Sequence, residues 1–174
     1  MGKELLFKVL RHEEAERVPW VPFAGVHAGK LKGYTAREIL EDADKLYESL
    51  MEVHKLYMPD GMPIMFDLQI EAEILGCKLL WADYNPPSVR KHPYMKEGSG
   101  LPTDDMIPTR ESGRIPMVLD VMKRMKESVG DQTALYGLIC GPLTLASHLR
   151  GSDFFMDMVI NKDYVKDLMA FCTK

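Results

Sequence analysis

The sequence predicts an α/β fold of parallel βα units, and three observations predict it. Short apolar runs, Met62 to Phe66 and Ala134 to Cys140, are each followed directly by a helical pattern. Amphipathic stripes at helical spacing alternate with such runs along the chain, the order that builds a parallel sheet. No Asn-Gly hairpin signal joins one run to the next.

Each element has its own reason. Leu5, Leu6, Val9 and Leu10 fall at helical spacing and open the chain as an amphipathic helix. Val18 to Ala24 reads as a short strand, with Pro19 and Pro22 limiting how far it can pair. Gly25 to Gly33 reads as a loop carrying His27, Lys30 and Lys32. Thr35 and Glu38 form a capping box. Behind it Ile39, Ala43, Leu46, Leu50, Val53 and Tyr57 make the apolar stripe of one long helix. Pro59-Asp60-Gly61 turns the chain into the run from Met62, which ends at Asp67; a helix carrying Ile70 and Ile74 follows, closed by Gly76. Lys78 to Trp81 reads as a further short strand, and residues 82–114, rich in Pro, Gly and Asp, as a long excursion with little regular structure. Ile115 to Val129 is helical, and after the run from Ala134 a helix covers Leu143 to Leu149. Ser152-Asp153 and Asn161 cap two last helices, Phe154 to Ile160 and one through Val165, Leu168 and Cys172.

About three or four parallel strands are expected from this pattern, whereas a closed (β/α)8 TIM barrel needs eight and about 250 residues. With 174 residues and a last helix that no strand follows, the chain reads as the N-terminal part of such a barrel.

Composition narrows the function classes. With 46% hydrophobic and 28% charged residues the chain can build a packed core, which argues against disorder. A net charge of −4 argues against nucleic acid as a partner. No window approaches the ~20 apolar residues of a membrane span. The charged N-terminus does not read as a signal peptide, and Cys77, Cys140 and Cys172 make no disulfide framework, so a cytoplasmic protein is expected.

In α/β folds ligands bind at the C-terminal ends of the strands. Asp67 ends one apolar run, and Thr144, Ser147 and His148 follow the Gly141-Pro142 break after another. Asp67 and His148 are therefore expected on one rim of the sheet. For Asp67 the structural alternative is a helix N-cap; for the buried-run Cys140 it is inert packing.

Three stretches in this order resemble the uroporphyrinogen decarboxylase superfamily: Arg17-Val18-Pro19, Phe66 to Gly76 (FDLQIEAEILG) and Gly141 to Gly151 (GPLTLASHLRG). The resemblance covers essentially all of 1–174, but only the N-terminal half of the family's (β/α)8 barrel. It implies either a decarboxylase of porphyrin (haem) biosynthesis or a methyltransferase that moves a methyl group between a corrinoid protein and a thiol such as coenzyme M. The GPLTLASHL form is similar to the methyltransferase branch. Decarboxylases more often carry Gly-Ala-Pro-Trp-Thr-Leu and a tyrosine at about the place of His148.

By the same resemblance Asp67 matches the decarboxylase aspartate that faces the pyrrole nitrogens. The decarboxylases also carry Arg-Gln-Ala-Gly-Arg after the first strand, and those arginines meet substrate carboxylates. Phe23 to Lys30 stands there instead, with no arginine, leaving His27 and Lys30 as substrate-contacting candidates. Zinc and a corrinoid (cobalamin) are implied for a full-length methyltransferase relative, the zinc being held by a His and two Cys of the C-terminal half. The present chain has no His-x-Cys or Cys-x-x-Cys, so no metal ligand and no cofactor are assigned within it.

The expectation is thus methyl transfer, with catalytic candidates Asp67 and His148, binding candidates His27, Lys30, Thr144 and Ser147, and little activity from 1–174 alone. The alternatives are uroporphyrinogen decarboxylation and a non-catalytic truncated or assembly fragment. Expected partners are a small-molecule substrate or a corrinoid protein, and a second copy of the chain. An open sheet edge and its flanking helices favour a homo-oligomer, unless residues 82–114 fold over that edge.

Overall fold

The computed structural model describes residues 2–96 and 98–174. The elements are α1 (Gly2–Leu10), α2 (His27–Lys32), α3 (Ala36–Glu41), α4 (Ala43–Tyr57), β1 (Gly61–Pro63), α5 (Ile70–Ile74), β2 (Lys78–Leu80) and β3 (Ser88–Lys91). After a 3₁₀ turn at Asp104–Met106 come α6 (Ile115–Val129), β4 (Ala134–Tyr136), α7 (Pro142–Arg150), α8 (Asp153–Ile160) and α9 (Lys162–Cys172). They fall into two compact units.

The first unit holds the residues up to Asp67, together with Ala82–Pro86 and Pro116–Leu138. Its sheet is the parallel pair β1–β4, in register Gly61 to Ala134, Met62 to Leu135 and Pro63 to Tyr136. The Ala134 N–H donating to Asp60 O (2.9 Å) and the Ile64 N–H donating to Tyr136 O (3.0 Å) extend this ladder. Because the pair is parallel, the segments that follow β1 and β4 leave from the same end.

Residues 18–24 form no strand, correcting the expectation: Pro19 and Pro22 lack the N–H groups a ladder needs. The segment is anchored through Asp60 instead. Both Asp60 carboxylate oxygens are held by Arg17 (2.6 and 2.8 Å), and Oδ2 also accepts the Trp20 N–H (2.7 Å).

The expected loop at 25–33 contains α2, which ends at Gly33 in the left-handed conformation (φ +78°). Gly29 lets α2 approach α3, because a β-carbon there would come within 3.0 Å of Ile39 Cγ2 and the Tyr34 carbonyl. The Thr35–Glu38 capping box is formed. The long helix expected behind it is two helices. Asp42 leaves helical geometry, and its carboxylate accepts from the N–H groups of Asp44 and Lys45 (2.9 and 3.0 Å), which starts α4 afresh. Leu46, Leu50 and Val53 of α4 line, with Met62, an internal void of about 10 Å³, no more than a single water needs, so this core is closely packed.

The second unit holds Leu68–Trp81, Pro87–Ile115 and Ile139–Lys174. Here β2 pairs antiparallel with β3, with an irregularity at Lys78/Leu79, so β2 is not a further parallel strand. The connection between them is too short for the crossover that parallel pairing requires. Among the described residues one parallel pair is present, not three or four parallel strands.

The excursion at 82–114 is more ordered than expected; it contains β3 and the 3₁₀ turn, and its position 97 lies outside the described residues. Residues 92–96 are fastened to the end of α7. The Tyr94 N–H donates to Leu149 O (3.1 Å), His92 Nδ1 lies 2.7 Å from His148 O, and Arg150 Nη1 donates to the carbonyls of Tyr94 and Lys96. Leu145, Ala146 and Leu149 of α7 form one buried cluster with Leu75, Phe154 and Leu168.

Candidate functional site

The chemistry-bearing side chains divide between the two units, and each set is built locally. In the first unit Asp67 follows β1 and is buried. It is not the N-cap of α5; that position is Gln69, whose side chain makes no capping bond. His27, the first residue of α2, is exposed, and its Nε2 lies 3.1 Å from the Tyr57 hydroxyl. Lys30 is exposed, with Nζ over the Tyr84 ring at 5.5 Å. Phe23 packs edge-on against Phe66 and Tyr136. The stretch 23–30 thus offers aromatic and aliphatic surface with two cationic or ionisable side chains, and no guanidinium.

In the second unit Gly141 and Pro142 start α7, proline taking a first-turn position where its missing N–H costs nothing. Thr144 is exposed and Ser147 half-buried, the Ser147 hydroxyl donating to Thr144 O (2.7 Å). His148 is half-buried, and its carbonyl receives the Cys77 thiol (3.2 Å) besides lying against His92 Nδ1.

Sequence reasoning missed a cavity of about 440 Å³ beside the start of α7. Its walls include Glu71, Leu75, Cys140, Leu145, Phe171 and Cys172. Thr144, Ser147 and His148 are not among the lining residues. Glu71 Oε1 accepts the Cys140 N–H (3.1 Å) and so fixes the loop leaving β4. The available signal was a carboxylate four residues after Asp67, one helical turn on.

Burial disfavours the thiolate form of the cysteines here. Burial pushes the Cys140 pKa up to about 12, with the Glu71 carboxylate and Cys172 adding to the rise. Burial alone takes Cys172 to about 11 and Cys77 to about 12. All three are free cysteines, and among the described residues no three His, Cys, Asp or Glu side chains converge to hold a metal ion. Among the described residues no helix is long and apolar enough to cross a membrane.

The family model for uroporphyrinogen decarboxylase (URO-D) matches residues 1–174. The chain belongs to the URO-D family. This URO-D chain is 28% identical over 180 residues to methylcobamide:CoM methyltransferase MtbA of Methanosarcina acetivorans, and 30% identical over 176 residues to MtbA of Methanosarcina mazei. Each match covers 98% of this chain and 51% of the relative. A uroporphyrinogen decarboxylase of Prochlorococcus marinus is 26% identical over 155 residues, covering 85% of this chain and 43% of that protein. Among solved structures, a methyltransferase from Methanosarcina mazei superposes with a TM-score of 0.85 at 26% identity, covering 99% of this chain and 52% of the other. The URO-D chain therefore spans about half the length of the relatives it matches, and its fold is the N-terminal part of the family's α/β barrel.

Proposed function

We propose that this URO-D chain supplies the N-terminal portion of an enzyme that moves a methyl group between a corrinoid protein and a thiol such as coenzyme M. The observation that carries the reading is the stretch Phe23 to Lys30. By the sequence resemblance it corresponds to the stretch in which the decarboxylases hold their arginines, and it contains none. A tetrapyrrole with eight carboxylates needs bidentate guanidinium partners, and neither an imidazole nor a lone ammonium reproduces that geometry. The likeness to methylcobamide:CoM methyltransferases over 98% of the chain supports the same reading.

Sulfur attacks a methyl group as the thiolate, so the thiol proton must leave first. Asp67 and His148 are the groups of this chain assigned to that proton and to orienting the thiol. His27, Lys30, Thr144 and Ser147 are assigned to substrate contact.

Decarboxylation is the second reading, favoured by the decarboxylase relatives at 26–28% identity. Fluorescence titration of 1–174 with uroporphyrin, the stable oxidised form of that substrate, separates the two. No saturable binding is expected up to ~100 µM. Micromolar binding that His27→Ala and Lys30→Ala abolish would overturn the methyltransferase reading.

A further inference from the structure

The β2–β3 pair gathers three cations at one point of its ladder. Lys78 pairs with Lys91 and Leu79 with Val89, so β3 takes two residues where β2 takes one, and Arg90 is the extra residue. Arg90 and Lys91 together therefore oppose Lys78. All three are exposed, and among the described residues none of their side chains makes a hydrogen bond or ion pair. From Tyr84 to Lys96 the sequence holds no Asp or Glu, in a chain whose net charge is −4. Like charges opposite one another across a ladder destabilise it, so pairing of the two strands alone disfavours this cluster.

We infer that this point of the β2–β3 pair docks a carboxylate-rich segment of a partner protein. Neighbouring strands lie about 4.8 Å apart and neighbouring residues about 3.4 Å, so the three side chains leave the backbone within about 6 Å of one another. A short run of Asp or Glu matches that spacing and supplies the charge the cluster lacks. Leu80 of β2 is 52% exposed and adds apolar contact beside the cations, the mixture that protein interfaces use. The rest of a barrel is a poor cover for this cluster. Its interior would have to desolvate three cations, a cost that apolar contact does not offset. The β2–β3 pair is also antiparallel and no member of the parallel β1–β4 sheet that further barrel strands extend. Nucleic acid is a poorer occupant, because its phosphates reward a long basic track and not three cations on an acidic chain. Anionic lipid calls for clusters of about four to eight Lys or Arg.

Fluorescence anisotropy of a labelled deca-glutamate peptide tests this on the polypeptide that carries these residues at full barrel length, with circular dichroism verifying the fold of each variant. Saturable binding is expected below ~100 µM peptide at ~20 mM salt, several-fold weaker at ~200 mM. Combining Lys78→Glu, Arg90→Glu and Lys91→Glu should raise the dissociation constant at least about tenfold with an unchanged spectrum. Lys123→Glu with Lys126→Glu, at two exposed positions of α6, should change it less than about twofold. Absence of binding, the result that a cover supplied by the rest of the barrel would give, would overturn the proposal. So would an equal loss in the α6 variant, which would mark general charge attraction, or a short DNA duplex that binds more tightly than the peptide.

Discussion

Cys77, Cys140 and Cys172 are held as protonated thiols by the same cause, removal from water. With a pKa of about 12, Cys140 carries a thiolate fraction of about 10⁻⁵ at pH 7. Native protein is therefore expected to react with iodoacetamide orders of magnitude more slowly than guanidinium-unfolded protein, as read by mass spectrometry. Fast native alkylation of Cys140 would contradict the buried thiol. The pH dependence follows in sign. A raised folded pKa means the unfolded chain loses its proton first, so these thiols' contribution is complete below about pH 8.5 and is lost as the pH rises towards about 12. Asp60 works in the opposite direction. Its hydrogen bonds from Arg17, and next the one from the Trp20 N–H, hold its pKa below the usual carboxylate value, against the effect of burial. Its contribution is present above the unfolded value and is lost as the pH falls through the lowered one.

At the scale of elements, Arg150 joins four segments. Its Nε donates to Asp157 of α8 (2.7 Å), its Nη1 to two carbonyls of the 92–96 segment, and its guanidinium lies 5.0 Å from the Tyr164 ring centroid of α9. The Arg150 and Asp157 side chains are 10% and 6% exposed, so removing one partner strands a buried charge. Arg150→Ala should lower unfolding stability by about 3–5 kcal/mol in urea titration. Arg150→Lys should recover little of it, because an ammonium cannot serve Asp157 and the two carbonyls from one planar fork. A loss below about 1 kcal/mol would show that the cluster is held by its apolar contacts alone.

These elements also show what the sequence made legible. The stretches at Ile115–Val129 and Pro142–Arg150 were readable because nine or more residues of periodicity, or a Gly-Pro start, announce them. The short α2 was hidden by its length and by Gly29, whose role is a close contact rather than a turn. The break at Asp42 was hidden because an exposed aspartate within a continuing apolar stripe looks like helix surface. The pairing of β2 with β3 depends on tertiary placement that no local pattern encodes. As candidates, Asp67 and the α7 polar groups were visible as polar residues that end or follow apolar runs. The cavity beside Cys140 was not, because Leu75, Leu145 and Phe171 come together only by folding.

At the scale of the whole molecule, the chain spans about half of the family barrel, and the proposed chemistry is methyl transfer rather than tetrapyrrole decarboxylation. The most direct test is methyl transfer from methylcobalamin to coenzyme M. It is to be assayed on the polypeptide that carries these residues at full barrel length, beside anaerobic uroporphyrinogen turnover by the same preparation. Methylated coenzyme M and no coproporphyrinogen are expected, with at least a tenfold lower kcat for both Asp67→Asn and His148→Ala, a loss of more than about 1.4 kcal/mol of transition-state stabilisation. Coproporphyrinogen formation with no methyl transfer would contradict it.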